Sequence, residues 1–413
     1  MTTQRVDIWQ QGTLGGEDRQ VTDEAIAGAR ERIGIEIVHL DPFNEYGTKD
    51  AFRKMAFGAG DPNPLWQDEE YASKTRWKGV IAPPRFYRTM GVSEKKSYTL
   101  EERNLGRHGL QGVHSWGSGF KTEVFAPIHV GDRLTIKSYL DDVIEKRSQL
   151  AGRMAISYTT SAWTNQRGEL VAIVRSQLHQ GGRQKQWGER QKYAELTRPV
   201  YSPEDIARID ADYEREEKRG ATPRYWEDVN VGDDLIPVVK GPLTITDGIN
   251  FLIGDGLRFY SPGAHRIAYE NRKRHPLFWA LNSYGVPDVL ERVHWEDEYA
   301  QKTGNPMCYD WGSQRENWLC HLVTNWMGDD GWLWKWFAEW RRFVYVGDTC
   351  WAKGKVTKKY ITKGNKSVVD LDIWVEDHRG RNVAPGNATV ILPSRERGPV
   401  QIPVVPEEDS LKP

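Results

Sequence analysis

Apolar and polar positions alternate with two periods along this chain, and each change of period marks an element. Over 116–178 the period is two, as in FKTEVFAPIHVGDRLTIKSYL and GRMAISYTTSAW, which predicts antiparallel strands. Gln166-Arg167-Gly168 supplies a hairpin turn between two of them. A second β-rich block covers 343–393. Helical spacing appears over 23–34, capped by Thr22, and in KDAFRKMAFGAG after Thr48, and glycines stop both. The intervening IEIVHL is strand-like. The most apolar helical segment is 313–327, where Trp318, Leu319, Leu322, Val323, Trp326 and Met327 form one wide stripe. Ser313-Gln-Arg-Glu316 has the form of a capping box. The helix is therefore expected to begin just after Ser313, with its free amides near Gly312.

The same order of features occurs twice. Val130-Gly131-Asp132, a strand, a long strand, Asn165-Gln-Arg-Gly168 and a final strand are matched by Val346-Gly347-Asp348 and Asp377-His-Arg-Gly380 with their strands. An acid precedes each set, Asp61 in the first and Asp255 in the second. The expected organisation is an N-terminal unit over 1–180, a charged connector with a helix after Ser202-Pro203 over 181–223, and a C-terminal unit over 224–395. The tail, 396–413, is Pro-rich and shows no core pattern. Two copies of a helix wrapped by a curved antiparallel sheet is the simplest architecture that fits.

Composition narrows the function classes. Acidic and basic residues nearly cancel, 58 against 57, so no global charge favours nucleic acid or an anionic membrane. Cys308, Cys320 and Cys350 lack C-x-x-C spacing and cannot all pair, which suits a reducing cytoplasm. No apolar leader or membrane span is legible. No metal-ligand cluster or dinucleotide loop is visible either, so neither a metal nor a redox cofactor is expected. The 18 tryptophans include Trp332, Trp334 and Trp336, which strand alternation places on one face. With Trp311 and Trp326 they are a candidate wall for a bulky acyl group, core packing being the alternative.

GDPNPLWQDEEYA, GVIAPP, the PIHVGD–NQRGELVA half and RYWEDVNVGDDLIPVVKGPLTIT resemble the MaoC-like hydratases and dehydratases. The closer resemblance is to the two-domain type with a dehydratase-like N-terminal half. It implies an α+β double hotdog, two antiparallel sheets each wrapped around a central helix and packed as a pseudo-dimer. It further implies hydration of a 2-enoyl thioester or dehydration of a 3-hydroxyacyl thioester, coenzyme A being part of the substrate. A homodimer or higher homo-oligomer is the expected assembly. The family motif sets Asp, Asn-Pro and then His. Here Asp61, Asn63 and Pro64 match but Trp66 holds the His position, so the first half resembles a site stripped of its base. In the second half Gly254-Asp255 resembles the acid and His294-Trp-Glu-Asp-Glu-Tyr-Ala300 the histidine arm, separated by an insertion over 256–293.

Such chemistry needs a base for water, a group to orient it and relay a proton, and donors for an enolate-like oxygen. His294 is the expected base and Asp255 the acid or water-orienter. Gly312, with Ser313 and Asp310 beside it, is the expected binding point for the thioester oxygen. Each also has a structural reading: His294 as a packed arm residue, Asp255 as a turn former, Asp310 as a helix-start charge, Ser313 as a cap and Gly312 as a backbone requirement. His265 is the alternative base. His321, inside the long helix, reads as a satisfied core histidine. Two rivals remain, a hotdog thioesterase using Asp310 or Glu316, and a non-catalytic acyl-binding protein.

Overall fold

The computed structural model describes residues 20–106, 109–110, 113–148, 152–181, 196–256, 262–303 and 305–412. Nine helices of five or more residues occur there: α1 (Asp23–Arg30), α2 (Lys49–Ala59), α3 (Glu69–Lys74), α4 (Leu100–Asn104), α5 (Pro203–Glu214), α6 (Ile245–Asp255), α7 (His265–Arg274), α8 (Asp297–Lys302) and α9 (Gly312–Met327). The strands are β1 (His114–Val124), β2 (Leu134–Ser148), β3 (Gly152–Asn165), β4 (Leu170–Gly181), β5 (Asp234–Lys240), β6 (Trp279–Leu281), β7 (Pro287–Val289), β8 (Trp332–Glu339), β9 (Cys350–Ile361), β10 (Ser367–Asp377) and β11 (Asn382–Ile391).

The two halves share one nine-stranded sheet in the order β2-β3-β4-β1-β8-β11-β10-β9-β5, joined where β1 pairs antiparallel with β8. The double hotdog is thus present as two sheets fused edge to edge. Its central helices are unequal. The second half has the four-turn α9, but at the matching place the first has only a 3-10 turn, Phe86–Thr89. The long helix packs against β5 and β8–β11 and also reaches α2 and β1 of the first half.

The repeat holds at atomic detail. The Asp132 carboxylate accepts the His129 amide and an Arg167 Nη1 bond of 2.6 Å; the Asp348 carboxylate accepts the Tyr345 amide and Arg379 Nη1 at 2.7 Å. Helices α2 and α6 pack through bare backbone. A Cβ on Gly58 would lie 2.7 Å from the Asn250 carbonyl, and one on Gly254 2.6 Å from that of Lys54. Both helices start at a threonine cap, Thr48 and Thr244, and end at a glycine with positive φ, Gly60 and Gly256.

Four expectations are corrected here. Helix α9 starts at Gly312 behind Trp311, whose amide donates to Gln314 Oε1 (2.9 Å); Ser313 is not the cap, because Glu316 is drawn into a buried ion pair. IEIVHL forms only an isolated bridge, Glu36 with Tyr139. The tail carries core residues after all: Val400 and Val404 are buried, and the Val404 amide donates to the Phe125 carbonyl. A register shift of β8 against β11 between Thr389 and Val390 breaks the tryptophan row. Trp336 joins the core around α9, while Trp334 packs in a second cluster with Phe125 and Val368.

Candidate functional site

His294 closes a 3-10 turn, Leu290–His294, at the end of the insertion. The insertion holds that turn in place. Fully buried Arg292 donates through Nη1 to the Ala280 carbonyl and through Nη2 to that of Leu281, both at 2.9 Å on β6, and stacks over Tyr299. The His294 ring stacks on Trp311 (centroids 4.2 Å apart), and its Nδ1 lies 2.9 Å from the Tyr309 carbonyl. A carbonyl only accepts, so Nδ1 carries the hydrogen and the Nε2 lone pair is left open. Enclosure of the ring pushes its pKa down to about 4, against the smaller upward pull of the Tyr309 and Asp310 backbone. The imidazole is therefore neutral at ordinary pH. Trp311 immediately precedes Gly312, so the sequence-expected base and the helix start do come together. Gly312 lacks a side chain for a packing reason too, since a Cβ there would meet the Trp340 indole at 2.8 Å.

Asp255 sits at the C-terminal end of α6, buried, with Arg85 Nη1 at 3.2 Å. Its equivalence to Asp61 is corrected by the helix pairing. Gly58 meets Asn250 as Gly254 meets Lys54, an offset of 196 in each case. Asp255 therefore corresponds to Ala59, and the counterpart of Asp61 is position 257, outside the described residues. Arg85 is the residue that sequence reasoning missed. Fully buried, with φ of +70°, it donates Nε to Glu316 Oε2 at 2.7 Å and Nη1 to Asn317 Oδ1 at 2.6 Å. Arg88 and the Trp336 indole complete the shell of Glu316 at 3.3 and 2.9 Å. Burial would raise the Glu316 pKa, but Arg88 and Arg85 outweigh it and hold the carboxyl below its ordinary range. Glu316 lies one turn into α9, about 6 Å along the axis from Gly312. His294 thus packs on the residue before α9, and Asp255 is tied through Arg85 to Glu316 and Asn317 one turn in. The Trp311 ring also packs on Phe251 and against Gly248 of α6, the helix that ends in Asp255.

A second constellation lies at the other end of α9. Asp61 Oδ2 accepts the Trp66 indole N–H at 2.9 Å, which is what the substituted histidine position does here. His321 Nε2 approaches Asp61 Oδ1 to 3.8 Å, and His321 Nδ1 lies 2.8 Å from Lys240 Nζ. Lys240 also donates to the Ala59 carbonyl (2.8 Å), closing the C-terminus of α2. Burial pulls the Lys240 pKa down to about 8, opposed by Glu216 and Asp61. His321 is also pushed down by burial, and Asp61 up. His321 is thus a satisfied core histidine, but one in a polar chain that joins the two halves.

The remaining candidates fall elsewhere. Asp310 is tied to Arg315 at 2.7 and 3.2 Å and to the Val344 amide. His265, with φ of +51°, is exposed at the start of α7. A cavity of about 60 Å³ lies between the 81–87 segment and the C-terminal end of α9; Trp66, Trp77, Trp332 and Trp336 line it, and Trp311 and Trp326 do not. No helix among the described residues is long and apolar enough to cross a membrane.

Comparison with known proteins agrees with this architecture. A family model described as the FAS1-like dehydratase domain region matches residues 33–174. A UPF0336 protein of Streptomyces avermitilis is 31% identical over 112 residues, covering 27% of this chain and 70% of that protein. Another, from a Parafrankia species, is 27% identical over 129 residues, covering 30% and 76%. Among solved structures, a MaoC-like dehydratase superposes with a TM-score of 0.57 at 16% identity, covering 87% of this chain and 98% of its own. A putative MaoC domain protein dehydratase from Chloroflexus aurantiacus gives 0.54 at 13% identity, covering 88% and 96%. A conserved hypothetical protein of Mycobacterium tuberculosis, described as having a double hotdog fold, gives 0.50 at 10% identity, covering 87% and 96%. The fold is the double hotdog. The chain belongs to the UPF0336 family, carries a FAS1-like dehydratase domain region in its N-terminal half, and shares the double hotdog with MaoC-like dehydratases.

Proposed function

We propose that this protein adds water across the double bond of a 2-enoyl thioester, or removes it from a 3-hydroxyacyl thioester, at the start of α9. The observation that carries the reading is His294, neutral, anchored through Nδ1 and stacked against the residue before Gly312. In the hydration direction Nε2 takes a proton from water as the oxygen bonds to the β-carbon. The electron pair of the alkene moves onto the thioester oxygen, which faces the orphan amides at Gly312 and Ser313. Asp255, fixed by Arg85, orients the water, and the proton taken by His294 passes to the α-carbon as the enolate collapses, which restores the neutral imidazole. Coenzyme A is the proposed carrier, and the tryptophan-lined cavity the place of the acyl end. Thioester hydrolysis is disfavoured, because Asp310 and Glu316 have their oxygens committed to buried donors.

Mixing the protein with a panel of enoyl-CoA thioesters and following the absorbance of the conjugated bond tests this. Loss of that band with acyl-CoA retained supports the reading, and release of free thiol instead overturns it. His294→Ala should abolish turnover while His265→Ala leaves it intact; the reverse would move the base to His265.

A further inference from the structure

Arg85 has one nitrogen to spare. Its Nε and Nη1 are taken by Glu316, Asp255 and Asn317, but Nη2 is buried and meets no hydrogen-bond partner among the described residues. The Tyr87 hydroxyl, two residues on, is likewise buried without a hydrogen-bond acceptor. Both residues line the tryptophan-walled cavity. A buried donor left unsatisfied costs about 1–3 kcal/mol, and a non-glycine residue held at positive φ is a further cost. Arg85 carries both, with φ of +70°.

We infer that this cavity receives an acyl group bearing a neutral oxygen, a ketone or hydroxyl remote from the thioester, which accepts hydrogen bonds from Arg85 Nη2 and the Tyr87 hydroxyl. Most of the remaining cavity wall is aromatic, aliphatic and proline side chain, so the body of the ligand is apolar. Its polar atom is uncharged because the surroundings are already balanced: Arg85 and Arg88 face Glu316 and Asp255. Asp329 on the same wall, held by Asn63 and Tyr71, would repel a carboxylate. At about 60 Å³ the space admits a short oxygenated segment of chain. This names the substrate class of the proposed hydratase and rests on that reading for the thioester chemistry, though not for the binding.

Two enoyl-CoA thioesters of equal length, one with a mid-chain ketone and one with a methylene in its place, make the test. The ketone should raise kcat/KM about tenfold or more, as one hydrogen bond from a charged donor predicts. Tyr87→Phe and Arg85→Lys should shrink that ratio, and Tyr87→Phe should do so with an unchanged Tm. Equal kcat/KM for the two thioesters overturns the inference while leaving the hydratase standing. If neither is hydrated, the function fails, and tryptophan fluorescence decides the pocket separately. Mid-chain oxo-decanamide should then quench with a Kd about tenfold below that of decanamide, whereas equal constants overturn the inference on its own terms.

Discussion

His321, on the long helix of the second half, brings Nε2 to 3.8 Å from the Asp61 carboxylate of the first. Lys240 closes the chain on the far side of the imidazole, so a cation and an anion are separated by one neutral ring inside the core. Removing the cation strands three acceptors: the Ala59 and Gly60 carbonyls and His321 Nδ1. Lys240→Met is expected to cost about 1–3 kcal/mol in urea unfolding.

The pH dependence of that residue has a definite sign. Native Lys240 titrates at about 8 and the unfolded residue near 10.5. Between those values the unfolded chain holds the proton that the native one has released, so the lysine makes stability rise with pH across that window. Wild type minus Lys240→Met, compared in denaturant midpoints at several pH values, should display the rise. A flat difference would contradict it.

His294 should behave similarly at the acid end. Its native pKa of about 4 lies below the ordinary 6.5, so its contribution is complete above 6.5 and is lost as pH falls toward 4. His294→Gln should flatten that part of the stability curve. The same substitution should lower kcat by about 10²–10⁴-fold, the usual share of a general base. Arg292→Ala, which frees the turn carrying the histidine, should lower kcat with less effect on the pH at which activity fades.

Glu316 sits between two buried guanidinium groups. Glu316→Leu leaves Arg85 and Arg88 with Asp255 alone, and the expected loss is about 3–5 kcal/mol, readable as a fall in Tm.

The crossing of α2 and α6 tolerates no side chain at its two contact points. Gly58→Ala and Gly254→Ala should each destabilise by about 1–3 kcal/mol, because the intruding carbon meets backbone that cannot rotate away. An exposed control, Gly131, meets nothing but already has φ of +89°, so alanine there should cost only the strain of its own backbone.

Local pattern was enough to expose much of this fold. The period of two located the strands of both halves, the threonine cap and terminal glycine located α2, and the doubled Gly-Asp corners disclosed the repeat. Contacts between distant segments left less trace. Ser313 and Glu316 have the form of a cap, yet Glu316 is claimed by Arg85 from 231 positions away, a competition invisible to local spacing. The tail looked coreless because its two buried valines are too few to make a period. Arg85 itself had one local sign, a charged residue after two prolines inside an apolar run. Asp255 was matched to Asp61 on its glycine neighbour, and only the three-dimensional pairing of the helices revealed the two-residue slip.

A single rod of four turns carries the inner surface of both halves, and this constrains how the molecule could be divided. A fragment ending after β4 would leave much of its apolar concave side wet and should precipitate when made alone. Supplied with the remainder, it has an edge at β1 and a groove at α2 ready to dock, so two separately expressed pieces should complement one another into an active whole.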